Sequence, residues 1–131
     1  DESISSLQMA KQAIALGSCK YVNIKPGRVG GLSTAIAIHD LCAKHGIPCW
    51  VGGMLESSTD SAICTALATL PNFTYAADIF PSSRYYTRDL SSPAMELEML
   101  DGIPHVRAFS TLPEPDQARL ESATLAKTII Q

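Results

Sequence analysis

The sequence predicts an α/β fold of parallel strands joined by crossover helices, and three observations predict it. Short β-prone runs end near Lys25, Val51 and Ile79, about 26 to 28 residues apart, which is the length of one strand, one helix and short loops. Apolar residues recur at helical spacing in the intervals between them. Gly or Pro marks each junction. Right-handed crossovers allow such units to form a doubly wound sheet or a stretch of a (β/α)8 barrel, and periodicity leaves both open.

Taken in order, Ser5 to Leu16 places Leu7, Ala10 and Ile14 on one helical face, with Ser3, Ser5 or Ser6 to cap its start and Gly17 to end it. Tyr21 to Lys25 is the first strand, closed by Pro26-Gly27. Ser33 to His45 is a second helix with Ala35, Ile36, Ile38, Leu41 and Cys42, ended by Gly46 and Pro48. Cys49-Trp50-Val51 is the next strand, and Gly52-Gly53 its turn. A third helix, capped by Ser57 or Ser58, carries Ala62, Ile63, Ala66, Leu67 and Leu70 up to Pro71, and Tyr75 to Ile79 is the third strand.

The rhythm then changes. Met95 to Met99 alternates with period two, Asp101-Gly102 is a hairpin turn and Ile103 to Val106 the return strand. Asp116 caps a last helix containing Leu120, Ala123, Leu125 and Ile129. Residues 1–90 thus form one part and 91–131 another.

With 131 residues, 46% of them apolar, the chain has one domain's worth of sequence. Ten basic residues, spread singly, against thirteen acidic ones give a net charge of −3, no footprint for nucleic acid or an anionic membrane. No apolar run reaches the roughly 20 residues of a bilayer span, and no signal peptide is evident. Cys19, Cys42, Cys49 and Cys64 stand singly without zinc-ligand spacing, as reduced core thiols of a cytoplasmic protein do.

In parallel β/α folds the C-terminal strand ends carry the chemistry. Lys25 sits at such an end, and alternation places Asn23 on its face. A lysine aimed into a closed cavity needs a partner or a use; a surface lysine before a turn is the plainer reading. Asp1 stands one βα unit earlier and suits a hard cation such as Mg²⁺, or simply the start of a helix. Gly52-Gly53-Met54-Leu55-Glu56 lets backbone approach a ligand, or makes a tight turn. Ser82-Ser83-Arg84 suits an anionic group, or is a loop. His39, His45 and His105 lack metal-ligand spacing and read as packing or solvated residues.

Asp1-Glu2-Ser3, Asn23 to Gly31, Gly52 to Glu56, Leu70-Pro71-Asn72-Phe73 and Asp78-Ile79, in this order and spacing, resemble the C-terminal half of the o-succinylbenzoate synthase / N-acylamino acid racemase family of the enolase superfamily. The resemblance implies the C-terminal part of a (β/α)7β TIM-like barrel, from the fifth strand end to the eighth strand, plus a C-terminal segment of the capping region. It implies Mg²⁺, or Mn²⁺ in its place, with Asp1 as the third carboxylate ligand. Lys25 matches the acid/base lysine of the sixth strand, and Asn23, Gly52, Gly53, Met54, Glu56, Ile79 and Ser82 would contact the substrate, a small carboxylate.

The activity so implied is Mg²⁺-dependent α-proton abstraction, with dehydration to o-succinylbenzoate in menaquinone or phylloquinone synthesis. N-acylamino acid racemase, dipeptide epimerase and muconate cycloisomerase chemistry are the alternatives within the class, and a non-catalytic β/α binding module the alternative outside it. The chain departs from the family pattern at Ser57-Ser58-Thr59-Asp60, in place of a Gly-rich helix start, and lacks a Gly-Pro-Gly-Leu-Gly-like run near Phe109 to Pro113. It is expected to be a fragment that needs the N-terminal half of the same enzyme, either as one copy or in a homo-oligomer. Its location is expected to be the cytoplasm, or an organelle in a photosynthetic source.

Overall fold

Strand β1 (Val22–Ile24) and strand β2 (Cys49–Val51) pair in parallel, with Val22 opposite Cys49, Asn23 opposite Trp50 and Ile24 opposite Val51, in a computed structural model that describes residues 2–128. Asp1 and Ile129 lie outside the described residues. Partners in a parallel ladder point to the same side, and successive residues to opposite sides. Val22, Ile24, Cys49 and Val51 are therefore on one face, all buried in a core with Ala10, Ala35, Ile38, Cys42, Cys64 and Leu67. These come from helices α1 (Leu7–Ala15), α3 (Leu32–Lys44) and α4 (Ser58–Leu67). No helix among the described residues is long and apolar enough to cross a membrane.

Asn23 and Trp50 take the other face. There Trp50 lies 5.5 Å from Tyr21 and 6.3 Å from Tyr75 between ring centroids, and both tyrosines are more than half exposed. The helices thus cover one side of the sheet, and the side that a barrel would turn inward carries an aromatic trio.

Local chemistry sets the helix ends. The Ser6 hydroxyl accepts from the Met9 N–H to start α1. Helix α3 ends at Gly46, whose φ of 65° lets its N–H reach the Ala43 carbonyl while the Ile47 N–H reaches that of Cys42, the paired closure that a left-handed residue permits. A short helix α2 (Pro26–Val29) follows β1 where the sequence reading had only a turn. Proline at its first position has φ already set for a helix, so one turn forms before Gly30 ends it.

The third predicted strand, Tyr75 to Ile79, is not a continuous strand. Among the described residues, the segment 73–78 meets β2 and the following Gly52 through two isolated parallel bridges, Cys49 with Phe73 and Gly52 with Asp78. The Thr74 N–H donates to the Cys49 carbonyl and the Asp78 N–H to that of Val51. One chain advances by two residues while the other advances by four, so two extra residues bulge out and the ladder breaks.

Beyond a 3₁₀ turn at Ser82–Arg84, strand β3 (Ser91–Ser92) pairs antiparallel with β6 (Glu114–Pro115). Strands β4 (Leu97–Leu100) and β5 (Ile103–Val106) form the expected hairpin. Its turn residues Asp101 and Gly102 have φ of 51° and 78°, the mirror-type turn that suits strand twist. Met95, expected within β4, instead enters the core. Helix α5 (Gln117–Ala123) starts at Asp116, whose carboxylate accepts from the Arg119 N–H, and stops before Leu125 because Thr124 is extended.

Candidate functional site

Lys25 leaves β1 as the first residue of the turn into α2, and its side chain is only 12% exposed. It lies on the face of Asn23, as alternation requires. Its Nζ is 3.7 Å from Glu2 Oε1, and Glu2 also pairs with Arg28. The strand ends meet at two glycines. A Cβ on Gly52 would overlap the Asn23 side-chain oxygen and sit 2.7 Å from both Cγ and Cε of Lys25. On Gly53 it would overlap the Asp78 carbonyl oxygen. Only glycine allows the lysine stem and the third segment to close on β2 this tightly.

The loop beyond folds back on itself. The Met54 N–H donates to both oxygens of Glu56, at 2.6 and 2.5 Å, and Arg28 approaches the Met54 sulfur at 3.7 Å. Asn23, Lys25, Gly52, Gly53, Met54 and Glu56 are therefore one contiguous group at the strand ends. Ile79 and Ser82 do not join it. Ile79 is a core residue, and the buried Ser82 hydroxyl donates to Asp89.

Asp89 is a residue the sequence reading did not single out. Its carboxylate accepts from the Ser58 N–H at 3.0 Å, the Ser58 hydroxyl at 2.6 Å, the Ser91 N–H at 2.6 Å and the Ser82 hydroxyl. Burial alone would raise its pKa; the hydrogen bonds from Ser58, Ser82 and Ser91 outweigh it and hold Asp89 below the usual carboxylate range. This carboxylate caps α4, whose own N-cap residue Ser57 makes no side-chain cap. The one local signal is an aspartate followed two residues on by a serine N–H, an Asx turn. Glu2 and Arg28, the charges beside Lys25, were not among the expected site residues either.

Among the described residues no group of three or more His, Cys, Asp or Glu side chains is placed to hold a metal ion. The carboxylate beside Lys25, that of Glu2, already faces two cations. The described residues do not by themselves make a Mg²⁺ site. A cavity of about 280 Å³ lies behind the lysine turn, lined by Pro26, Leu32, Glu56, Ile63 and Cys64 among others. Burial first, then Glu56 and Asp60, push the Cys64 thiol up to about 12. His39 is a packing residue: its Nε2 accepts from the Asn72 N–H at 3.1 Å and its ring packs against Phe73, tilted by 36°.

A family model described as enolase C-terminal domain-like matches residues 1–107. The chain is 52% identical over 98 residues to an o-succinylbenzoate synthase of Bacillus subtilis, across 75% of this chain and 26% of that protein. It is 53% identical over 93 residues to an N-succinylamino acid racemase of Amycolatopsis, across 71% of this chain and 25% of that protein. The chain thus spans about a quarter of the length of these curated relatives. An enolase superfamily member from Listeria innocua superposes with a TM-score of 0.81 and 34% identity, over 93% of this chain and 33% of that one.

Proposed function

The chain belongs to the enolase C-terminal domain-like family, and on that premise we propose that its strand ends form part of a site for proton abstraction next to a carboxylate, as in an o-succinylbenzoate synthase of menaquinone or phylloquinone synthesis. The observation that carries the reading is Lys25: a largely buried lysine at a strand end, clamped over Gly52 on the face of Asn23. A buried cation held at one point is what an α-carbanion's developing charge requires. Mg²⁺, or Mn²⁺ in its place, would supply further neutralisation of that charge when bound, with Asp1 as the one ligand that the family resemblance gives this chain.

Two activities divide at Lys25. In dehydration of a cyclohexene carboxylate its ammonium stands beside the substrate carboxylate, while the α-proton passes to a base outside these 131 residues and the hydroxyl leaves with a proton as water. In racemisation of an N-succinylamino acid, a reading favoured by the Amycolatopsis relative, Lys25 itself gives or takes the α-proton on one face. Gly52, Gly53, Met54 and Glu56 shape the pocket for the rest of the substrate in both.

The test combines the chain with the preceding portion of the Bacillus subtilis relative and assays both substrates with Mg²⁺. Lys25→Ala should abolish turnover. Retention within about tenfold, roughly 1.4 kcal/mol, would remove Lys25 from the chemistry. Lys25→Arg keeps a cation that cannot exchange protons, so dehydration should survive it better than racemisation. A wild-type combination that turns over neither substrate and binds no Mg²⁺ would leave the non-catalytic module.

A further inference from the structure

Between Gly52 and Ser58 the chain carries the pocket-shaping residues, and both of its ends are fixed. At one end the Gly52 N–H donates to the Ile24 carbonyl at 3.0 Å. At the other, Ser58 is held by Asp89 through its N–H and its hydroxyl, and the same hydroxyl accepts from the Met95 N–H at 2.6 Å. A third tie lies between them, where the Tyr86 hydroxyl donates to the Leu55 carbonyl at 2.9 Å. Asp89 and Tyr86 belong to one segment, residues 86–89, so one stretch of chain grips the loop twice.

We propose that Asp89 is a positioning residue for substrate binding, gathering Ser58, Ser82 and Ser91 onto one buried carboxylate and so setting where the Gly52–Ser57 loop stands relative to Lys25. It touches no substrate itself. Several charge-assisted hydrogen bonds on one buried carboxylate make a stiff joint. Lys25 is held separately, by β1, so slackening this joint moves the loop and leaves the lysine in place. The proposal rests on the functional reading above for what the loop binds.

Asp89→Asn tests it, because an amide nitrogen in place of Oδ2 faces the Ser58 N–H and in place of Oδ1 faces the Ser91 N–H, so two donors meet in either orientation. In the 131-residue chain, hydrogen exchange at the Ser58 and Met95 amides should quicken by about tenfold or more while α3 amides keep wild-type rates. In the combined enzyme, KM should rise by about tenfold with kcat within about twofold. A smaller folded fraction would instead lower kcat at unchanged KM, and that result overturns the positioning role. So does wild-type exchange at Ser58 and Met95, or equal loosening of α3. If Asp89→Asn does not fold, Ser58→Ala deletes one hydroxyl only, and an unchanged KM there overturns the proposal equally. Should the wild-type combination turn over no substrate, the functional reading fails on its own, and exchange still decides whether Asp89 fixes the loop.

Discussion

Residues 22–79 and residues 91–123 are held by different physics. In the first region strands and helices face each other through aliphatic side chains: Val22, Ile24, Ile38, Cys42 and Val51 are almost wholly removed from water. In the second, every residue of β4 is exposed, α5 buries none, and among the described residues only Ser91, Met95 and Pro113 are buried. What fixes the second region is polar and distant in sequence. The Thr59 hydroxyl donates to the Pro113 carbonyl at 3.0 Å, Arg119 donates to the carbonyls of Asp89 and Ser91, and the Asp116 N–H donates to that of Leu90. Apolar burial scales with area and tolerates many sequences, whereas a polar tie depends on two named groups meeting.

The largest effect that can break this contrast comes from truncating one large apolar residue in each region. Ile38→Ala should cost about 2–5 kcal/mol, because the side chain is fully buried and its neighbours can only partly collapse. Met99→Ala, on a hairpin residue 64% exposed, should stay within about 0.5 kcal/mol. Urea unfolding of the two variants measures both. Equal losses would show that the hairpin face is covered in solution and that the tail is held by burial after all.

The same contrast explains what could be read in the sequence. Helices α1, α3 and α4, strands β1 and β2 and the Asp101-Gly102 hairpin follow from apolar period and turn residues, signals that lie within a few positions of one another. The bulge before Asp78 was not legible, because it depends on how far β2 advances against its neighbour. Nor was Asp89, whose partner Ser58 lies 31 residues away. At the strand ends Lys25, Asn23 and the two glycines were legible because alternation and glycine each imply geometry. Ser82 looked alike in sequence and turned inward, a choice made by Asp89.

A smaller effect sharpens the comparison inside the first region, by separating position from pattern. Gly52→Ala should cost about 1–3 kcal/mol, since the added methyl meets the Asn23 amide and the Lys25 stem in a strand that cannot shift without its partner. Gly27→Ala, where a Cβ would meet nothing within 4 Å inside a helical turn, should be neutral or stabilising by up to about 1 kcal/mol. Thermal unfolding of the pair decides it. If both variants melt with the wild type, the close approach of Lys25 to β2 is not a constraint on the fold.

Acid gives an effect that is absent at neutral pH. Asp89 is held below the usual carboxylate range in the folded chain, so its contribution is complete above the unfolded pKa, about 3.9. As pH falls below that value the unfolded chain takes up a proton before the folded one does, and stability declines until the folded carboxyl titrates too. Glu98 shifts in the same direction through its hydrogen bonds with Arg107, but on an exposed hairpin where water and salt screen the pair. Denaturant midpoints measured from pH 7 down to pH 3 should therefore fall more steeply for wild type than for Asp89→Asn, while Glu98→Gln follows the wild-type curve closely. A Glu98→Gln curve as flat as that of Asp89→Asn would shift the acid sensitivity from the buried joint to the surface, and the two regions would no longer differ in how their charges act.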